Sequence, residues 1–97
     1  MNLSDIEVVD LATSTRLEDY LSAMVIVNNE AGKRLGDFML LSWYDRDRDF
    51  ESPQHSSECL MDSAVPGYVD YGISHGATLM INIDNGRFVF FYMPVTL

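Results

Sequence analysis

Two apolar runs, Leu79-Met80-Ile81-Asn82-Ile83 and Phe88-Val89-Phe90-Phe91-Tyr92-Met93, stand on either side of Asp84-Asn85-Gly86-Arg87. That arrangement predicts a C-terminal β-hairpin within 77–95. Asn and Gly tolerate the positive φ that both central positions of a type I′ turn need, and the twist of that turn suits the strands beside it. A turn at Asn85-Gly86 dictates a register. Ile83 then faces Phe88, Asn82 faces Val89, Ile81 faces Phe90, Met80 faces Phe91, Leu79 faces Tyr92, and Asp84 faces Arg87. Alternation along the strands gathers Leu79, Ile81, Ile83, Phe88, Phe90 and Tyr92 on one side, which the rest of the chain has to cover. The other side carries Met80, Val89, Phe91 and Met93. It too is apolar enough to want a cover, from this chain or from a second copy, and this second face suggests a homodimer.

The remaining segments supply partners for the hairpin. Ile6 to Leu11 is short and β-branched, suited to a strand at a sheet edge. Thr15-Arg16-Leu17-Glu18 has the form of a capping box, and Leu17, Tyr20, Leu21, Met24 and Asn28 follow at helical spacing, so a main helix is expected from Arg16 to about Val27. Asn28 to Gly36 is polar and reads as a connection. Phe38 to Tyr44 reads as a strand beside the hairpin, and the alternating charges of Asp45-Arg46-Asp47-Arg48-Asp49 as an extended segment that holds an exposed loop or strand end through cross-strand pairs. Ser52-Pro53 predicts a short helix to about Met61, and Pro66 opens a second from Gly67 to Ser74, stopped at His75-Gly76. The expected fold class is α+β. A small antiparallel sheet holds the C-terminal hairpin, the main helix packs on one face, and one or two short helices lie within 52–76. With 97 residues the chain has room for a single domain over 1–97.

Charge narrows the functional classes. The net charge is −9, and Asp49 to Asn85 contains no Lys or Arg. Phosphate contacts need a basic face, so neither nucleic acid nor an anionic membrane surface is an expected partner. A cationic ligand, a basic protein partner or a DNA-mimic role fits the acidity, although solubility alone accounts for it. The first twenty residues carry five acids, unlike a secretory leader, and the single cysteine cannot close an intramolecular disulfide. A cytoplasmic protein is expected.

No Walker loop, nucleophile elbow, His-Glu-x-x-His pair or dinucleotide fingerprint occurs, which leaves the question of an enzyme open. Three constellations remain. His55 and Cys59 would share one face of a 53–61 helix, with His75 as a third donor, a set that suits zinc or another transition metal. The competing account makes Cys59 a buried, inert thiol. As a nucleophile Cys59 is poorly placed, because Glu58 and Asp62 disfavour thiolate. Asp45, Asp47 and Asp49 have the spacing of a calcium loop but lack its Gly and its final Glu. Trp43, Tyr44, Tyr68, Tyr71 and Tyr92 could line a small-ligand pocket, with Trp43, Tyr68 and Tyr71 foremost, or could simply be core. The sequence therefore supports three readings: a small non-catalytic homodimeric binding or assembly protein, a metal-dependent activity at His55, Cys59 and His75, and a ligand-binding module lined by Trp43, Tyr68 and Tyr71.

Overall fold

The hairpin forms in the register its sequence predicts, with Ile83 opposite Phe88, Ile81 opposite Phe90 and Leu79 opposite Tyr92. A computed structural model describes residues 6–54 and 66–96. Within them the elements run β1 (Glu7–Leu11), α1 (Tyr20–Leu35), β2 (Phe38–Asp45), β3 (Phe50–Ser52), α2 (Gly67–Ser74), β4 (Leu79–Ile83) and β5 (Phe88–Pro94). The fold is α+β, a five-stranded sheet of order β1-β4-β5-β2-β3 with one main helix packed on it. β1 lies at an edge as expected. It runs parallel to β4 while the other pairings are antiparallel, which makes the sheet mixed.

Each side of the sheet has its own core. On the first side Leu79, Ile81, Ile83, Phe88, Phe90 and Tyr92 are fully buried, joined by Val9 from β1 and by Ala23, Val27 and Ala31 from α1. The pairing of bulky strand residues with alanines on the helix lets α1 approach closely while the aromatic rings fill the space. The Tyr92 hydroxyl, deep in this layer, donates to Asn28 Oδ1 at 2.6 Å. On the second side Val89 and Phe91 are covered by α2, through Val69, Tyr68 and Ile73, and by Ile6 and Ala77. The face that suggested a homodimer is therefore closed within the chain. Gly72 makes that closure possible, because its Cα side lies directly over Phe91. A register shift in β2 between Leu40 and Ser42 brings the Ser42 hydroxyl, itself buried, to within 2.6 Å of the Tyr68 carbonyl, tying α2 to the sheet.

The main helix departs from its expected bounds at both ends. It starts at Tyr20, four residues after Arg16, with Asp19 rather than Thr15 as its N-cap; the Asp19 carboxylate accepts from the backbone N–H groups of Leu21 and Ser22 at 3.1 and 3.2 Å. The cause is tertiary. Leu17's carbonyl, which a helix from Arg16 would spend on the N–H of Leu21, instead accepts from Arg87 Nη1 at 2.8 Å. The helix then runs past Val27 to Leu35, because Ala31 continues its buried stripe, and it stops where Gly36 turns to φ 74° and donates its N–H to Gly32 O. Leu21 faces solvent. Replacing Asp19 by Ala should cost about 1 kcal/mol, measured by urea unfolding, with no change in oligomeric state.

The hairpin turn is an anchor for distant segments. Asp84, Asn85 and Gly86 all have positive φ; the Arg87 N–H closes the turn on Asp84 O at 3.3 Å as the register expects, while the two side chains reach out to different partners. Asp84 accepts from the N–H of Thr13 at 2.9 Å and from its hydroxyl at 2.8 Å, and its own N–H donates to Leu11 O. Arg87, only 5% exposed, sends Nε and Nη2 to Asp47 while Nη1 holds Leu17. One turn thus fastens the β1–α1 and β2–β3 connections.

Candidate functional site

The charged run after β2 is a four-residue turn rather than an extended end, and its geometry shapes a concavity at the β3 edge. Asp45, the last residue of β2 and 2% exposed, accepts from the N–H of Asp47 at 3.0 Å and from Arg48 Nε at 2.7 Å. The Arg48 guanidinium lies over the rings of Tyr20 and Phe50, 4.5 and 4.8 Å from their centroids. Asp47 is drawn to Arg87 and Arg16. Asp49, at φ 49°, reverses the chain into β3 and points its carboxylate at Tyr44, whose hydroxyl donates to Oδ1 at 2.6 Å. The alternation of acids and arginines therefore serves three separate anchors.

The resulting hollow, about 310 Å³, is lined by Tyr44, Asp49, Glu51 and Gln54. Tyr44 on β2 and Glu51 on β3 stand opposite each other in the ladder, on the face that α2 covers. The Tyr44 ring is stacked on Tyr68 of α2 at 4.9 Å and 7°. This stack gives the hollow a rigid wall. The hydrogen bond to Asp49, reinforced by burial, pushes the Tyr44 hydroxyl up to about 12, so it stays a proton donor throughout the neutral range. Two carboxylates, a phenol and an amide around an open hollow form a donor-accepting surface with negative potential, chemistry that suits an ammonium or guanidinium group.

The residues singled out from sequence do not meet in one place. Trp43 lies on the α1 side of the sheet, between Tyr20 at 4.8 Å, Phe50 at 5.4 Å and Phe90 at 6.4 Å, as core. Tyr68 packs on the opposite side against Tyr44 and Phe91. Tyr71 stacks on His75 at 3.8 Å. A single pocket lined by Trp43, Tyr68 and Tyr71 is not formed, because neighbours on a strand point to opposite faces and the sheet lies between Trp43 and Tyr68. Of the metal set, His55 and Cys59 lie outside the described residues. His75 closes α2 with Nδ1 2.8 Å from the Tyr71 carbonyl oxygen. Among the described residues no group of three or more His, Cys, Asp or Glu is placed to hold a metal ion; Asp45, Asp47 and Asp49 each turn to a different partner. Tyr44, Asp49, Glu51 and Gln54 were missed as a group. The signal available was the β2–β3 hairpin implied by a turn at Asp47-Arg48, which would have set Tyr44 beside Glu51.

No helix among the described residues is long and apolar enough to cross a membrane. Comparison with curated proteins finds no match. A crystal structure of the novel protein AF1514 from Archeoglobus fulgidus DSM 4304 is similar over 94% of this chain and 96% of that one, with a TM-score of 0.62 and 21% identity. At that identity the likeness is one of fold. Residues 6–92, which span every strand and both helices described above except the end of β5, match a domain of unknown function, DUF5619, and the chain belongs to that family.

Proposed function

We propose that this protein is a non-catalytic binding module whose β3-edge hollow takes a small organic cation. The supporting observation is the joint lining of that hollow by Asp49, Glu51, Tyr44 and Gln54, with no basic residue among them. The net charge of −9 adds long-range attraction for a cation and raises its encounter rate. Asp49 is already oriented by the Tyr44 hydroxyl, so a ligand amine would meet a carboxylate whose freedom is partly spent before binding. Tyr44 stacked on Tyr68 supplies a flat apolar surface beside the charges, favourable for the methylenes of an alkylamine or the plane of a guanidinium.

Thermal unfolding in the presence of agmatine, spermidine, choline and arginine tests the reading. A ligand that binds only the folded state at a hundred times its Kd stabilises by about 2.7 kcal/mol. At least one of these cations is expected to raise the midpoint in 150 mM salt, and the Asp49→Asn/Glu51→Gln variant to lose that rise. No rise with any of them, or an equal rise in the double variant, rejects the hollow as the site.

A further inference from the structure

We infer that the ligand of the β3-edge hollow is an amino-acid-like zwitterion, whose cationic group meets Asp49 and Glu51 while its carboxylate is received by Arg46. This rests on the hollow being the cation site proposed above. Arg46 is singled out by how the other arginines are engaged. Arg34 is held by Glu7 and Glu30, Arg48 by Asp45 and Arg87 by Asp47, and Arg16 lies 3.9 Å from Asp47. Arg46 has no ion pair among the described residues, although the chain carries 15 acids against 6 basic side chains and Asp45 and Asp47 are its sequence neighbours. Those two carboxylates turn instead to Arg48 and Arg87. The exposed Arg46 guanidinium keeps one hydrogen bond, from Nη1 to the Asn85 carbonyl oxygen at 3.3 Å. A single long bond to a neutral acceptor leaves most of its donors to water, ready for a carboxylate.

The strand fixes where Arg46 stands relative to the hollow. The Arg46 N–H donates to Arg87 O at 2.9 Å, which carries the β2–β5 ladder one residue past Asp45. Side chains two apart on a strand share a face, so Arg46 rises beside Tyr44 on the face that α2 covers. Its charge is felt there: the Tyr44 hydroxyl, raised by its hydrogen bond to Asp49 and by burial, is drawn the opposite way by Arg46. The strand order sets the β4–β5 turn, where the guanidinium rests on Asn85, and β3 on opposite sides of β2. Tyr44 on β2 therefore stands between two acids and an unpaired guanidinium. That arrangement complements a short molecule with opposite charges at its two ends, laid across the tyrosine, and the guanidinium fork suits a carboxylate. The net charge of −9 favours the more cationic of two ligands. Preference for a carboxylate has to come from a local group, and Arg46 is the one beside the hollow.

Calorimetric titration with L-arginine and with agmatine, in about 150 mM salt, tests the inference. Agmatine is arginine without its carboxylate, so it carries the greater positive charge and the long-range field favours it. Wild-type protein is nevertheless expected to bind arginine about fivefold more tightly than agmatine. Arg46→Gln should lose that preference, with arginine weakened and agmatine bound at least as well, because a neighbouring positive charge is gone. Opposite responses of the two ligands distinguish a lost contact from a damaged site. Arginine bound no more tightly than agmatine by the wild type, or a preference that survives Arg46→Gln, overturns the inference and leaves the hollow as a cation site. Binding of neither ligand overturns it as well and, if spermidine and choline also fail, removes the hollow as a site.

Discussion

Phe91→Ala is expected to lose about 3–5 kcal/mol, measured by urea unfolding, because it empties the centre of the smaller of the two cores. Phe91 is fully buried beneath α2, where it touches the Tyr68 ring edge-on at 6.1 Å and lies beneath Gly72. The α2 layer is thin. Eight residues hold it to the sheet, with Val69 as its one buried apolar side chain, so taking away the ring beneath it removes a large share of what keeps it docked. Gly72→Ala should cost about 1–3 kcal/mol from the opposite cause. A Cβ at Gly72 would sit 2.8 Å from Phe91 Cγ and 2.9 Å from its Cβ. Those atoms sit close to the β5 backbone and cannot swing aside, so α2 would have to lift. The pair should be non-additive, the Ala methyl at 72 filling part of the space that Phe91→Ala leaves. Simple additivity would show that the helix does not rest on the ring. Phe91→Glu, by the same packing, should prevent folding rather than expose a subunit face.

Arg87→Met should lower the thermal midpoint by roughly 10 °C and flatten the acid side of the stability profile. The aliphatic replacement keeps much of the volume but removes the donors that hold Asp47 and the Leu17 carbonyl. The loss reaches α1. With Leu17 released, the start of the helix has no reason to wait for Asp19, and the 14–18 segment loses its position. The pH dependence has a definite sign. The Arg87 guanidinium beside Asp47 holds that carboxyl below its ordinary value, and the Thr13 N–H and hydroxyl do the same for Asp84. Groups depressed in the folded state contribute stability in full above their unfolded pKa, near 4, and that contribution is lost as pH falls through the folded value. Wild-type stability should therefore decline below about pH 4, and Arg87→Met should lack the Asp47 part of the decline while keeping that of Asp84. An unchanged acid profile in Arg87→Met would place the pH dependence elsewhere.

The α1 N-cap is the clearest case in which local and tertiary instructions compete. Thr15-Arg16-Leu17-Glu18 satisfies a capping box on paper, but a box contributes about 1 kcal/mol, and an almost fully buried arginine whose donors need acceptors outweighs it. The turn at 46–49 is a second case. Asp45, Asp47 and Asp49 look equivalent in sequence, yet Arg48, Arg87 and Tyr44 divide them among three structural tasks. Sequence pattern did not assign those partners, since Arg87 lies forty residues away in the β4–β5 turn, and the Arg48 and Tyr44 contacts depend on the chain reversing at 46–49.

What the residues alone determined is what depends on near neighbours. Asn85-Gly86 and the alternation beside it settled the hairpin and its register, because positive φ and the two-residue period leave no other pairing that keeps Leu79, Ile81, Ile83, Phe88, Phe90 and Tyr92 together. Pro66 and the Gly76 stop placed α2, through fixed φ at one end and a left-handed residue at the other. The tertiary structure decided what depends on neighbours distant in sequence: β1 joining β4 in parallel, α2 closing over Phe91, Trp43 and Tyr68 parted by the sheet, and Tyr44 brought to Glu51 and Asp49 at the hollow. Those outcomes turn on which of several apolar or charged partners comes within reach, and that is set by the packing of the whole chain.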